Sequence, residues 1–297
     1  MTTLNINKPF NIHRSKHKYP QNDQEWGYYL AGLIDADGSF TDVSKHKPNL
    51  TICFHIKDIS LAYKIKKFIK YGTISKIKNK NACKYVLTHK QGLQRLLLLL
   101  QDKIKHVEKY RRYLLLCQYY QIKGQDIFFD SGMTEKFNQD NQDNLKTSKK
   151  NCEILQFDAP EGASNVSFQK QFNLLNNYWL AGFIDGDGSL QIKIIKRKKK
   201  PEIRLQLQID LNENFKYLLD NIRLHFGGYI GYRKNLKAYC YNSTSFQVFG
   251  RLINYLDYYS LCSNKYKEYV LWRRAYFIRK DVNKINNLKK TLSCLKK

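Results

Sequence analysis

Over residues 202–209 apolar and polar side chains alternate, with Leu205, Leu207 and Ile209 on one face and Arg204, Gln206 and Gln208 on the other. That is the period of a strand with one buried face. Ser189 to Lys196 repeats it, Gln191 and Lys193 opposing Ile192 and Ile194. Helical and strand periods then interleave in the same order twice. The first half predicts a helix over about Gln24–Asp35, strands near Phe40–Ser44 and Leu50–Ile56, and a helix near Ser60–Lys70. Strands near Gly72–Lys78 and Lys84–Thr88 and helices over Gln91–Leu100 and His106–Gln121 complete it. The second half retraces that order through Ser189–Lys196, Glu202–Ile209, Asn214–Phe226, Tyr229–Arg233, Ala238–Asn242, Phe246–Tyr258 and Asn264–Lys280. Each half reads as αββαββα, an α+β fold in two units, 25–121 and 176–297, behind an extension over 1–24. Residues 122–175 show no sustained period and read as a surface linker in which a short piece such as Ile127–Phe129 docks.

An internal repeat fixes how the halves meet. Leu30-Ala-Gly-Leu-Ile-Asp-Ala-Asp-Gly-Ser39 and Leu180-Ala-Gly-Phe-Ile-Asp-Gly-Asp-Gly-Ser189 are near-copies, each preceded by an aromatic pair. Each reads as a short helix ending in a turn. Small residues four apart, Gly32 with Ala36 and Gly182 with Gly186, open a groove for another backbone, and the expected occupant is the other copy. Side by side and codirectional, the two helices bring Asp37 and Asp187 together where both macrodipoles are negative. Carboxylates about 4–6 Å apart either raise one pKa or recruit a cation. A divalent metal ion held by carboxylate and carbonyl oxygens at a pseudo-dyad is the expectation.

Composition then narrows the partner. The 297 residues carry 52 Lys and Arg against 25 Asp and Glu, a net charge of +27, the sign that polyphosphate attracts. The charge is uneven: 121–175 is net −2, leaving +29 on the rest, so the basic surface belongs to the repeats. Cysteines 53, 83, 117, 152, 240, 262 and 294 form no C-x-x-C pair, which argues against a disulfide framework or zinc finger. No apolar run spans a bilayer and the first residues hold no apolar signal core, so a soluble intracellular protein is expected. Lys, Asn, Ile and Tyr are abundant, as A/T-rich codons produce.

Both decapeptides resemble the motif of LAGLIDADG homing endonucleases and the related intron maturases, and two copies in one chain resemble the single-chain, pseudo-symmetric form. The likeness extends over about residues 25–120 and 175–280. It implies two antiparallel sheets forming a saddle over duplex DNA, and an organellar, mitochondrial, intron-encoded origin. It also implies that Asp37 and Asp187 are metal ligands, helped by the main-chain carbonyls of Ala36 and Gly186. Mg²⁺ or Mn²⁺ is the expected ion, tolerating an oxygen and water shell, with Ca²⁺ supporting binding without cleavage. Asp35 and Asp185 are expected to be structural, bonding to the turns at Gly38 and Gly188. By resemblance a polar residue on the second strand holds the hydrolytic water, matched by Gln208 and His55. A loop lysine supports the transition state, matched by Lys265 and, in the first half, by Lys103 in competition with Lys105.

The polar strand faces supply the candidate DNA contacts. In the second half these are Gln191, Lys193, Arg204, Gln206 and Tyr229, with phosphate contacts from Arg197, Lys198 and Lys199 on one turn and Arg233 and Lys234 on the other. In the first half Thr41, Thr51, Cys53, Thr73, Ser75, Lys84, Val86 and Thr88 make a less basic face. Unequal faces imply an asymmetric target, read by a monomer. The expected activity is metal-dependent double-strand cleavage leaving short 3′ overhangs. A maturase that binds its own intron RNA, or a silent DNA-binding protein, shares the fold and charge. Retention of both Asp37 and Asp187 favours the endonuclease.

Overall fold

The computed structural model describes residues 17–41, 43, 46–122, 172–197, 201–243, 245–279 and 281–296. Lys198 and Lys199, Cys152 and Ile127–Phe129 lie outside them, as does nearly all of the expected linker. The first half runs α1 (Asp23–Asp37), β1 (Gly38–Phe40), β2 (Leu50–His55), α2 (Ile59–Ile69), β3 (Thr73–Lys76), β4 (Ala82–Leu87), α3 (Lys90–Leu100) and α4 (Val107–Tyr119). The second runs α5 (Trp179–Asp187), β5 (Gly188–Ile195), β6 (Glu202–Asn212), α6 (Lys216–Phe226), β7 (Tyr229–Arg233), β8 (Ala238–Asn242), α7 (Phe246–Tyr258), α8 (Lys265–Phe277) and α9 (Val282–Lys296). The periodicity thus located both αββαββα units, but α9 was not foreseen.

Each half builds a four-stranded antiparallel sheet, in the orders β1-β2-β4-β3 and β5-β6-β8-β7. Their registers correspond, Gly38 pairing with Ile52 as Gly188 pairs with Ile209. Alternation puts Phe40, Leu50, Ile52, Phe54, Cys83, Tyr85 and Leu87 in the core of the first half, and Leu190, Leu205, Leu207, Ile209 and Tyr241 in that of the second. One apolar cluster runs through both.

α1 begins at Asn22, whose side chain accepts from the Glu25 amide, with Asp23 and Glu25 in the first turn opposing the helix dipole. At its other end no turn intervenes: Asp37 is the last helical residue and Gly38 the first of β1, as Asp187 and Gly188 are in the second half. Gly38 is in ordinary extended conformation, so its lack of a side chain serves packing; a Cβ there would lie 2.6 Å from the Ile34 Cα.

α1 and α5 meet backbone to backbone. A Cβ on Gly32 would stand 1.8 Å from the Trp179 carbonyl oxygen, and one on Gly182 2.0 Å from that of Tyr29. Because Gly32 meets 179–183, Gly182 meets 29–33 and Gly186 meets Ala36 and Asp37, the helices run side by side in the same direction. The groove predicted from the small residues is filled by the other copy.

Candidate active site

The last residues of α1 and α5 converge at the pseudo-dyad. The Asp37 Oδ2 lies 3.2 Å from where a Gly186 Cβ would be, so the Asp37 carboxylate rests against the end of α5. Burial pushes the Asp187 carboxyl up to about 6, the Asp37 charge adding to the rise while Lys109 and Lys265 oppose it. Burial likewise raises Asp37, against the attraction of Lys265 and Lys109. Two carboxylates here are each costly to ionise, and a nearby cation relieves both.

Two lysines approach these helix ends from below. Lys265 Nζ donates to the carbonyls of Ile184 and Gly186, and Lys109 Nζ to those of Ile34, Asp35 and Ala36 at 2.7–2.8 Å. Cations suit these termini, where the last carbonyls have no helical partner. Burial lowers the pKa of both ammonium groups, while Asp37 and Asp187 pull them back up. Lys265 thus lies beside the motif-helix ends, and the first-half residue in the equivalent place is Lys109 rather than Lys103 or Lys105. Lys103 bonds the carbonyl of Gln101 and lies over the Tyr28 ring, and the Lys105 side chain bonds the carbonyl of Asp102. A sequence signal for Lys109 existed: Lys109-Tyr-Arg-Arg-Tyr113 parallels Lys265-Tyr-Lys-Glu-Tyr269.

The first acids of the motifs bond not to the glycine turns but to more distant partners. Asp35 accepts from the amides of Lys105 and His106 and, across the dyad, from the Trp179 indole at 2.8 Å. Asp185 accepts from the amides of Cys262 and Ser263, the Ser263 hydroxyl and, across the dyad, the Tyr29 hydroxyl at 2.7 Å. Each thus ties its own motif helix to the loop entering the lysine-bearing helix and to the opposite motif helix. Burial raises both pKa values, that of Asp35 to about 6, against these donors.

Strand register corrects the second-strand assignment. Ser189 pairs with Gln208 and Ser39 with Thr51, so Thr51 is the counterpart of Gln208. His55 corresponds instead to Asn212, and both act as caps: the His55 ring nitrogen accepts from the Lys57 amide, and the Asn212 side chain from the Asn214 amide. Gln208 sits in a polar row, accepting from Gln191 and Gln206 and donating to Asp210, which also pairs with Arg233. Gln206 is buried, bonded to Gln208 and Asn242, so it orders this row rather than offering a free amide. Arg204 and Arg197 share Glu202. Lys193, Tyr229 and Arg233 are exposed on the same side of the sheet, and Lys234 is exposed in the turn after β7. In the first half Cys53, Thr73, Ser75, Lys84 and Thr88 are exposed and Thr41, Thr51 and Val86 half-buried.

The sequence profile of the LAGLIDADG endonuclease family matches residues 30–120 and 180–276, covering both halves. The chain belongs to this family. A cox1 intron-2 protein of Schizosaccharomyces pombe, itself uncharacterised, is 40% identical over 91% of this chain and 71% of its own length. The intron-encoded DNA endonuclease aI3 of Saccharomyces cerevisiae is 22% identical over 85% of the chain and 63% of its own length. The fold matches the LAGLIDADG meganucleases I-SmaMI, solved with uncleaveable DNA (21% identity, TM-score 0.62, 89% of this chain and 97% of that one), and I-LtrWI, solved with target DNA (18%, 0.62, 90% and 97%). I-SmaMI has also been solved on uncleaved DNA in the presence of calcium ions (20% identity, TM-score 0.58, 91% and 97%).

The donor set of this LAGLIDADG protein fits a hard divalent cation. Among the described residues no three His, Cys, Asp or Glu side chains cluster as a metal cage. An ion held by Asp37 and Asp187 would therefore need oxygens from outside the side chains, the pattern Mg²⁺ accepts, with one or two carboxylates plus water and phosphate. The Ala36 and Gly186 carbonyls accept from Lys109 and Lys265, so any metal bond to them uses the second lone pair.

Proposed function

We propose that this protein is a mitochondrial, intron-encoded homing endonuclease. It binds a long asymmetric DNA duplex as a monomer and hydrolyses both strands with Mg²⁺ or Mn²⁺, leaving short 3′ overhangs; Ca²⁺ supports binding alone. The observation that carries the reading is the retained pair Asp37 and Asp187 at the dyad, each backed by a half-buried lysine. The unequal sheet faces, amide- and arginine-rich in one half and hydroxyl-rich in the other, support asymmetry of the target.

The chemistry divides among the residues by position. Asp37 and Asp187 would hold the divalent cation, which when bound would supply an activated water and neutralise the leaving 3′ oxygen. Lys109 and Lys265 keep positive potential beneath the two carboxylates and offer charge to the pentacoordinate phosphate. Asp35 and Asp185 hold the lysine-bearing loops against the motif helices, fixing the lysines relative to the carboxylates. Gln208 stands on the strand face beside Ser189 as the candidate to orient water in the second half.

A second reading is favoured by one relative. The intron-encoded RNA maturase bI4 of Saccharomyces cerevisiae is 24% identical over 80% of this chain, which spans 30% of that protein. Its counterpart here would bind the protein's own intron RNA on the same basic surface. Selection from a randomised duplex library separates the readings. The endonuclease cuts one long asymmetric site in Mg²⁺ and retains it uncut in Ca²⁺. Retention without cutting in both ions overturns the endonuclease and leaves a silent binder or maturase.

A further inference from the structure

The residues one turn beyond the lysines differ between the halves in a way that the sheets undo. Tyr113 donates to the Leu97 carbonyl as Tyr269 does to that of Ile253. With Lys109 matched to Lys265, this fixes the correspondence of α4 and α8 and makes Glu268 the counterpart of Arg112. In the first half the Arg112 guanidinium donates to the Phe40 carbonyl at 3.0 Å. The Gly38 and Gly188 registers make Leu190 the counterpart of Phe40, yet Glu268 has no proton to give its carbonyl. Lys296 of α9 supplies it: its Nζ donates to Leu190 O at 2.6 Å and lies 3.4 Å from the Ser189 hydroxyl and 3.6 Å from Glu268.

The second cation is fixed in place, not trailing. Ile285, Leu288 and Leu292 bury one side of α9, and Lys57 of the first half caps the Leu295 carbonyl at 2.8 Å. Both cations thus reach the third residue after a metal-binding aspartate. Ser39 and Ser189, their neighbours there, lie on the polar sheet faces. Arg112 opens into a cavity of about 540 Å³ lined also by Ser39, Thr41, Lys47 and Asn49, a basic and hydroxylated recess of the kind a phosphodiester fills.

We propose that Arg112 and Lys296 are a pseudo-symmetric pair of contacts to the DNA backbone phosphates that flank the cleaved positions. The second is delivered by the C-terminal helix because Glu268 stands in the arginine's place. This rests on the endonuclease reading. Each cation exchanges part of its protein bonding for a phosphate oxygen; the 3.4 and 3.6 Å contacts of Lys296 are the weak ones.

The test compares wild type, Arg112→Gln, Lys296→Gln, Glu268→Arg and Lys296→Gln/Glu268→Arg on the selected duplex. Glutamine keeps a donor for the carbonyl and removes the charge. Binding in Ca²⁺ across a salt series should lose about 0.9 from the log–log slope with each glutamine variant, and the double variant should regain it. In Mg²⁺, Arg112→Gln and Lys296→Gln should slow opposite strands, each about tenfold. An unchanged slope with the target still bound overturns the proposal. Equal slowing of both strands by Lys296→Gln also overturns it. A wild type that retains no duplex overturns the endonuclease reading itself.

Discussion

Gly32→Ala tests the geometry on which everything else stands. Its methyl group would lie 1.8 Å from the Trp179 carbonyl oxygen and within 2.9 Å of the Phe183 nitrogen, both backbone atoms of α5. Carbon and carbonyl oxygen settle at about 3.3–3.6 Å, so the helices must part by about 1.5 Å. No rotamer can absorb the clash, which places the cost at or above the top of the usual overpacking range of about 1–3 kcal/mol, about 3–4 kcal/mol. Alanine returns about 1 kcal/mol of helix propensity, leaving a net loss of about 2–3 kcal/mol. That is within the stability of an ordinary domain, so the variant should fold. Urea unfolding should show an earlier midpoint at unchanged slope, and single-turnover cleavage should fall with it as Asp37 and Asp187 separate. Gly186→Ala meets the Ala36 methyl at 2.3 Å, a group fixed by its own backbone, and should likewise lower stability and disturb Asp37. A Gly32→Ala protein within about 0.5 kcal/mol of wild type that cleaves normally would refute the close-packed dyad.

In EDTA, wild type should lose stability as pH rises from about 4 to 6. A carboxyl whose folded pKa is raised, as that of Asp187 is to about 6, favours folding when protonated and ceases to when ionised. Asp187→Asn should flatten that fall and be about 1–2 kcal/mol more stable at pH 7, while gaining less than wild type from Mg²⁺ in the same melts. Single-turnover rates should fall about 100-fold or more in Lys109→Ala with DNA affinity little changed, and by less than about threefold in Lys103→Ala; the reverse would restore Lys103 to the site. Arg204→Ala should relax preference at one local position of the target by about 1–3 kcal/mol, measured by competition among single-base variants, because releasing its exposed pairing with Glu202 costs little. Uniform weakening on all sequences would make Arg204 a phosphate contact.

The parts of the fold written in local pattern were legible. Two decapeptides gave the dyad, and alternation placed β5 to within a residue at each end and the start of β6, which runs on to Asn212 past the expected Ile209. What failed depends on contacts distant in sequence. His55 and Gln208 look alike as polar residues late on a second strand, and only pairing with the strand after each motif shows them four positions out of step. Lys109 hides inside a helical run, whereas Lys103 sits in a visible loop. The expected turn after each motif is absent because Gly38 and Gly188 allow strand to follow helix directly, against the Ile34 and Ile184 backbone. α9 escaped because three buried apolar residues among lysines and asparagines give a weak stripe.

The central claim is one shared metal centre at the dyad, with a carboxylate from each half. Strand-resolved cleavage of the selected duplex in Mg²⁺ by wild type, Asp37→Asn and Asp187→Asn tests it most directly. Wild type should nick both strands, and either substitution should abolish cutting while leaving Ca²⁺-dependent retention of the duplex intact. Cleavage by either variant at the wild-type rate would contradict the shared centre.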